Sequence, residues 1–142
     1  MRRLALNESQ RPAPLRVGFY IRTATIEQAT HSLEDPARTQ EHSLRHQLEV
    51  MNQESYLGEI THVLIDRAHS GRNAHRPAFQ QLVSLIGNGQ IDLLLTTDRS
   101  RISRNIQDFV SFQRFMQDHD CRFLCLSDAR HPTVQAVQQV LS

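Results

Sequence analysis

The stretch from Ile91 to Asn105, reading IDLLLTTDRSRISRN, restricts the possible folds more than any other part of the chain, because an apolar run stops abruptly in Arg99, Ser100, Arg101, Ser103 and Arg104. Leu93 to Leu95 are apolar without alternation, the pattern of a strand covered on both faces of a parallel sheet. Such a sheet needs helices on either side, which calls for a layered α/β fold. The basic cluster then falls at the strand's carboxyl end, the edge where open α/β sheets bind ligands. Arg101 and Arg104 are three apart, so a turn or helix start there can aim both guanidinium groups at one anion. Arginine donates in a planar fork that matches phosphate oxygens in pairs, whereas a helix start chosen for solvation alone favours Asp or Glu. A phosphate is the expected guest, and a basic surface turn is the plainer reading of the same residues.

The 142 residues suit one domain with a single core. Sixteen Lys+Arg against fifteen Asp+Glu leave a formal charge of +1, so affinity for nucleic acid has to come from local arginine clusters and not from a global field. Cys121 and Cys125 are the only cysteines, too few for a disulfide framework or a zinc quartet, and two buried thiols are expected. Eight histidines invite a metal reading, yet His62, His69 and His75 lack the helical spacing of a ligand pair, so neither metal nor other cofactor is expected. No run approaches a membrane span, and the basic start is followed by Asn7, Glu8, Ser9 and Gln10 instead of a signal-type apolar core. A soluble, cytoplasmic protein is expected.

Residues 1–14, with Pro12 and Pro14 and few apolar side chains, read as a flexible arm. Leu15 to Ile21 reads as a first strand, in which Gly18 signals close approach by a neighbour. A loop-like segment runs to Thr39, including Asp35-Pro36. Leu44, Leu48 and Met51 then recur at helical spacing between Gln40 and Leu57. Ile60 to Ile65 is a second strand, ending in a polar loop from Asp66 to Pro77. Phe79, Leu82, Val83 and Ile86 form a helix opened by Pro77 and closed by Gly87-Asn88-Gly89. Ile91 to Thr97 is a third strand, Phe109 to Met116 a helix whose phenylalanines belong to core, and Arg122 to Leu126 a fourth strand. Val134, Val137 and Leu141 mark a last helical stripe. The order βαβαβαβ places Arg22, Ser70 with Arg76, and Ser100 with Arg101 and Arg104 at strand ends that an open parallel sheet brings to one edge.

Those strand ends carry a resemblance. Tyr20-Ile21-Arg22-Thr23-Ala24-Thr25 with Gln28 resembles the opening Tyr-x-Arg-Val-Ser-Thr motif, with its downstream Gln, of the serine recombinases, the resolvase and invertase family. Ser43-Leu44-Arg45-His46-Gln47-Leu48 is similar to the family's Ser-Leu-x-x-Gln-Leu helix start, Asp66 to Pro77 to its Asp-x-x-x-Ser-Gly loop with a later Arg-Pro, and Arg101-Ile102-Ser103-Arg104-Asn105 to its Arg-Leu-Ser-Arg-Asn signature. The likeness runs from about Val17 to Leu126. It implies a three-layer α/β, resolvase-like catalytic domain over 15–142, with a mostly parallel sheet of four to five strands. It also implies that the family's following long helix is truncated here and that its helix-turn-helix domain is missing.

The activity implied is transesterification: a serine hydroxyl attacks a DNA phosphodiester, giving a phosphoserine link and a free 3′-hydroxyl, and the reversal joins a new partner strand. By motif position Arg22, Arg101 and Arg104 would contact the scissile phosphate, with Arg76 as a fourth phosphate-binding arginine, Gln28 supporting, and Ser70 shaping the pocket. The family's serine position is Ala24, whose methyl group has no lone pair to attack phosphorus. Thr23 and Thr25 carry hydroxyls, but neighbours on an extended segment point to opposite faces. Ser100 stands where many relatives have an acid, with Asp98 close by. The expectation is therefore an inactive recombinase domain with weak, non-specific DNA affinity, associated with the nucleoid and dimeric or in a higher assembly. A non-catalytic module that pairs with active recombinases, and an active recombinase whose serine was replaced, remain as alternatives.

Overall fold

Strand β1 (Leu15–Thr23) lies between two parallel neighbours and fixes the direction of the sheet, in the order β2-β1-β3-β4. The structure, a computed structural model, describes residues 14–23, 35–67 and 75–127. Helix α1 (Pro36–Glu54) leads into β2 (Gly58–Arg67), α2 (Pro77–Gly87) into β3 (Leu93–Thr96), and a 3-10 turn (Arg99–Arg101) followed by α3 (Ile106–Asp118) into β4 (Arg122–Cys125). The expected arm up to residue 13, the segments 24–34 and 68–74, and the expected stripe after residue 127 lie outside the described residues.

All three strand pairings are parallel, with Val17 opposite both Ile60 and Leu93, and Leu95 opposite Leu124. Parallel pairing needs a crossover between successive strands, and the helices supply it from both faces. Alternation along β1 then sorts the core into two layers. Val17, Phe19 and Ile21 join Leu93, Leu95 and Leu124 under Ala37, Leu44, Leu48 and Met51 of α1. Tyr20, Leu64 and Leu94 face Leu82 and Ile86 of α2 and Phe109, Phe112 and Met116 of α3. Each fully buried Leu or Ile here contributes about 2 kcal/mol by leaving water. The unbroken LLL run of β3 is fully buried, as a strand covered on both faces must be. This is the layered α/β fold that the apolar pattern predicts.

Local chemistry moves some boundaries. Helix α1 begins at Pro36, not at Gln40, because the Asp35 side chain accepts from the Ala37 amide at 3.1 Å and Pro36 fills the first helical position, where no amide is needed. Strand β2 runs on through Asp66 and Arg67, residues that a polar-loop reading assigns to the connection. The Asn52 side chain closes the turn after α1 by accepting from the amides of Leu57 and Gly58 and donating to the Gly58 carbonyl. Cys121 and Cys125 are free and buried, and burial pushes the Cys121 thiol up to about 12, so it behaves as an inert apolar group. Among the described residues, no helix is long and apolar enough to cross a membrane.

Two glycines mark close approaches. A Cβ on Gly18 would lie 2.8 Å from the Cδ1 atom of Ile91, a side-chain end that can shift, whereas one on Gly58 would lie 2.4 Å from the Leu15 carbonyl oxygen. Overpacking against backbone has no cheap relief, so Gly58→Ala is expected to cost about 3 kcal/mol and Gly18→Ala about 1 kcal/mol. Urea denaturation of the two variants checks this order; equal losses would contradict it.

Candidate active-site edge

The carboxyl edge is assembled from the ends of β1, β2 and β3, and its first component is a buried carboxylate. Asp66, 3 % exposed, lies next to the start of α2, where Arg76 provides no side-chain cap. Its Oδ1 accepts from the Ala78 amide at 2.9 Å and its Oδ2 from the Phe79 amide at 3.0 Å, so a residue of β2 caps a helix that begins ten residues beyond the strand. The Tyr20 hydroxyl of β1 also donates to Oδ2, at 2.6 Å. Burial, and then the bond to Asp66, raise the Tyr20 pKa well above its ordinary value.

Arg76 reads this pair from the other side. Its Nε and Nη2 approach the Tyr20 hydroxyl at 3.3 and 3.1 Å, while Nη1 donates to the Ile102 carbonyl and Nη2 to the Arg101 carbonyl, both at 2.7 Å. The guanidinium also lies 4.0 Å from the centre of the Phe79 ring. Arg101 reaches across the sheet instead: its Nη1 donates to the Arg22 carbonyl at 2.9 Å, and its Nε lies 3.3 Å from both Thr97 Oγ1 and Asp98 Oδ2. Asp98 further caps the 3-10 turn by accepting from the Ser100 amide at 3.1 Å and from the Ser100 hydroxyl. Gln40 of α1 donates to the same Arg22 carbonyl at 3.0 Å, and its buried Oε1 has no hydrogen-bond partner among the described residues.

With this geometry in place, comparisons with known proteins decide the family. The family model described as Resolvase, N terminal domain matches residues 17–142. The chain belongs to the resolvase N-terminal domain family. Among solved structures, this resolvase domain is similar to the C-terminal catalytic domain of ISC1926 TnpA, an IS607-like serine recombinase, with a TM-score of 0.62 and 20 % identity over 88 % of this chain and 76 % of that one. It is equally similar, at 0.62 and 20 %, to the N-terminal catalytic domain of TP901-1 integrase, over 88 % of both chains. A resolvase family site-specific recombinase from Streptococcus pneumoniae follows at 0.58 and 19 %, over 87 % and 82 %. At such identities the likeness is one of fold, the serine recombinase catalytic domain fold. No curated protein matches the chain significantly.

Of the residues singled out in the sequence, Arg22, Arg76 and Arg101 are joined by one chain of hydrogen bonds through the Arg22 and Arg101 carbonyls. Arg104 stands exposed just beyond, in the turn that Asn105 ends by capping α3. Ala24, Gln28 and Ser70 lie outside the described residues. Thr23 is buried at 6 %, and by strand alternation it points to the α1 face, opposite Arg22. Sequence reasoning passed over Asp66 as a loop residue, and it assigned no role to Tyr20 or Gln40. An Asp immediately after the apolar Leu64-Ile65 pair, with an Arg-Pro helix start following at Arg76-Pro77, was the one available signal for the Asp66 cap.

The Tyr20–Asp66 pair has a pH signature. A phenol whose folded pKa is raised contributes stability that is fully present below its unfolded pKa of about 10 and is lost as pH rises beyond that value. Of the two tyrosines, exposed Tyr56 should ionise first, while Tyr20 ionises only as the alkaline protein unfolds. Absorbance of the phenolate band followed beside circular dichroism checks this, and Tyr20→Phe should remove the late step; a second tyrosine that ionises in the folded protein would refute the assignment.

Proposed function

We propose that this resolvase domain holds a DNA phosphodiester against Arg22, Arg101 and Arg104, as a serine recombinase catalytic domain does, and that it cannot cut the strand because Ala24 occupies the nucleophile position. The observation that carries the reading is the bond of 2.9 Å from Arg101 Nη1 to the Arg22 carbonyl, which draws the ends of β1 and β3 together and gathers their arginines at one edge. Among the described residues, Arg101 Nη2 and the guanidinium groups of Arg22 and Arg104 have no hydrogen-bond partner, so their donors are available to an anion. Catalysis of phosphoryl transfer rests mainly on positioning and charge stabilisation, which such donors supply to a phosphorane's added negative charge. An attacking oxygen is still required. Alanine has none, and the Thr23 hydroxyl is buried toward the opposite face.

On this reading residues 15–142 form the catalytic-type domain behind an arm at 1–14, Gln28 and Ser70 complete the pocket, Arg76 supports it, and the domain acts as a dimer or larger assembly on nucleoid DNA in the cytoplasm. Ala24 itself favours a second reading, a partner module that pairs with active recombinases and contributes DNA affinity without cutting. In both readings arginine contacts to phosphate position the domain without selecting sequence.

Two outcomes are expected. Binding of a short DNA duplex should be weak and indifferent to sequence, and should fall steeply with added salt; Arg101→Ala and Arg104→Ala should each weaken it several-fold while leaving the melting temperature within a few degrees. Sequence-selective or salt-insensitive binding would contradict the phosphate reading. Incubation with supercoiled DNA should give no covalent adduct on a denaturing gel, and Ala24→Ser should give at most a slow, partial one, since a misplacement of about 1 Å can cost ~10²-fold in rate. An adduct on Thr23 or Thr25 in the unmodified chain would defeat the proposal, and brisk cutting by the Ala24→Ser protein would mark the chain as a working recombinase with its serine replaced.

A further inference from the structure

The four arginines of the edge differ in how many of their donors are already spent. Arg101 uses Nε and Nη1, and Nη2 is left without a partner among the described residues. Arg76 uses all three nitrogens on protein acceptors, with the Phe79 ring against its face. A second observation concerns its backbone. Arg76 is N-cap of α2 and immediately precedes Pro77, yet it sits at φ 48 and ψ 65, in the left-handed region that a side chain with a Cβ adopts at a cost of about 1–3 kcal/mol. A conformation of that cost persists where surrounding contacts over-determine it, and here the contacts are those of its own guanidinium.

What the guanidinium holds is specific. The 3-10 turn is three residues long, and carbonyls at the end of such a turn have no intrahelical partner. The carbonyls of Arg101 and Ile102 find theirs in Arg76, whose other edge is anchored through Tyr20 to Asp66. The backbone that carries the Arg101 side chain is thus tied to β1, β2 and α2 by one planar group.

We propose that Arg76 is a positioning residue that locks the arginine turn so that Arg101 faces the bound phosphate, and that Arg76 is not itself a phosphate ligand. The inference rests on the phosphate-binding reading above for its consequence, but the lock can be measured in the free protein. The amides of Ile102 and Ser103 donate to the Arg99 carbonyl at 2.9 and 3.2 Å, and their hydrogen exchange reports whether the turn is closed.

The test compares the full chain with Arg76→Gln, Arg76→Lys and Arg104→Gln, measuring hydrogen exchange without DNA and the salt dependence of binding to a short mixed-sequence duplex. Arg76→Gln is expected to speed exchange of Ile102 and Ser103 about tenfold or more, with the β1 and β3 sheet amides unchanged. Lysine keeps the charge but cannot bridge three acceptors, so Arg76→Lys should fail to restore protection. Arg104→Gln should leave exchange unchanged and reduce the salt slope by about 0.9, the loss of one phosphate contact. Arg76→Lys should weaken DNA binding although the charge is retained. Unaltered exchange in both Arg76 variants, or full DNA affinity in Arg76→Lys, would overturn the proposal. If the Arg76 variants do not fold, Tyr20→Phe, which removes one of the three acceptors, should still speed exchange at Ile102 and Ser103, and no change there would equally overturn it. If the unmodified chain binds no duplex, the phosphate reading falls by itself and the exchange result alone decides the role of Arg76.

Discussion

A single buried carboxylate organises the carboxyl edge of the sheet. Asp66 is 3 % exposed and takes three donors, two amides at the start of α2 and the Tyr20 hydroxyl. Burying a charge is costly unless it is fully hydrogen-bonded, and here the helix start supplies both donors and the favourable end of its dipole. Without the carboxylate, α2 would begin with unsatisfied amides, Tyr20 would lose the acceptor that orients it, and Arg76 would donate to a hydroxyl no longer held in place. Charged hydrogen bonds of this kind contribute about 1.5–3 kcal/mol each. The edge is consequently a mutually dependent set of contacts in which helix start, central strand and arginine turn hold one another.

Charge is distributed with a matching logic. Arg16 pairs with Asp92 at the amino end of the sheet, where the bond to Arg16 holds the Asp92 carboxyl below its ordinary range. Arg45 pairs with Glu41 along α1, and Arg67 with Asp35 at the start of that helix. Exposed pairs such as these add little stability, but they cancel positive charge locally. Among the described ion pairs, Asp98 with Arg101 and Asp35 with Arg67, the last residue of β2, both lie at the carboxyl edge. With a net charge of +1, any positive field at the edge is local and comes from Arg22 and Arg104, which form no ion pair among the described residues.

The sequence made legible what periodicity and short motifs encode. The LLL run of β3, the helical spacing of Leu44, Leu48 and Met51, and the small residue at Gly18 against Ile91 follow from local rules that act over a few residues. The arginine signature from Arg101 to Asn105, with the motifs at Tyr20, Ser43 and Asp66, pointed to the family for the same reason. What escaped were bonds between distant residues: Tyr20 with Asp66 across 46 positions, Arg76 with Tyr20 across 56, and Arg101 with the Arg22 carbonyl across 79. No periodicity announces such partners. The left-handed backbone of Arg76 was equally hidden, since a residue before proline is expected to be extended, and only its tertiary contacts override that preference.

Asp98 shows how an altered motif can keep its geometry. Where relatives are expected to carry an acid beside the signature arginine, this chain has Ser100, and the acid that meets Arg101 comes from two positions earlier, at 3.3 Å. The same carboxylate accepts from the Ser100 amide and hydroxyl, so serine at this position becomes part of the cap that shapes the 3-10 turn. The two side chains of the ion pair remain about a third exposed, at 29 and 34 %, so it contributes little to stability and its effect is on direction. Asp98 lies on the Nε side of the fork, and Nη1 donates to the Arg22 carbonyl. Partial neutralisation of Arg101 weakens its pull on an anion, but a donor held in place loses less entropy on binding than one that must first be ordered. The turn thus keeps a defined orientation for Arg101 although the residue beside it is serine, because the acid that holds the guanidinium is the same one that caps the turn.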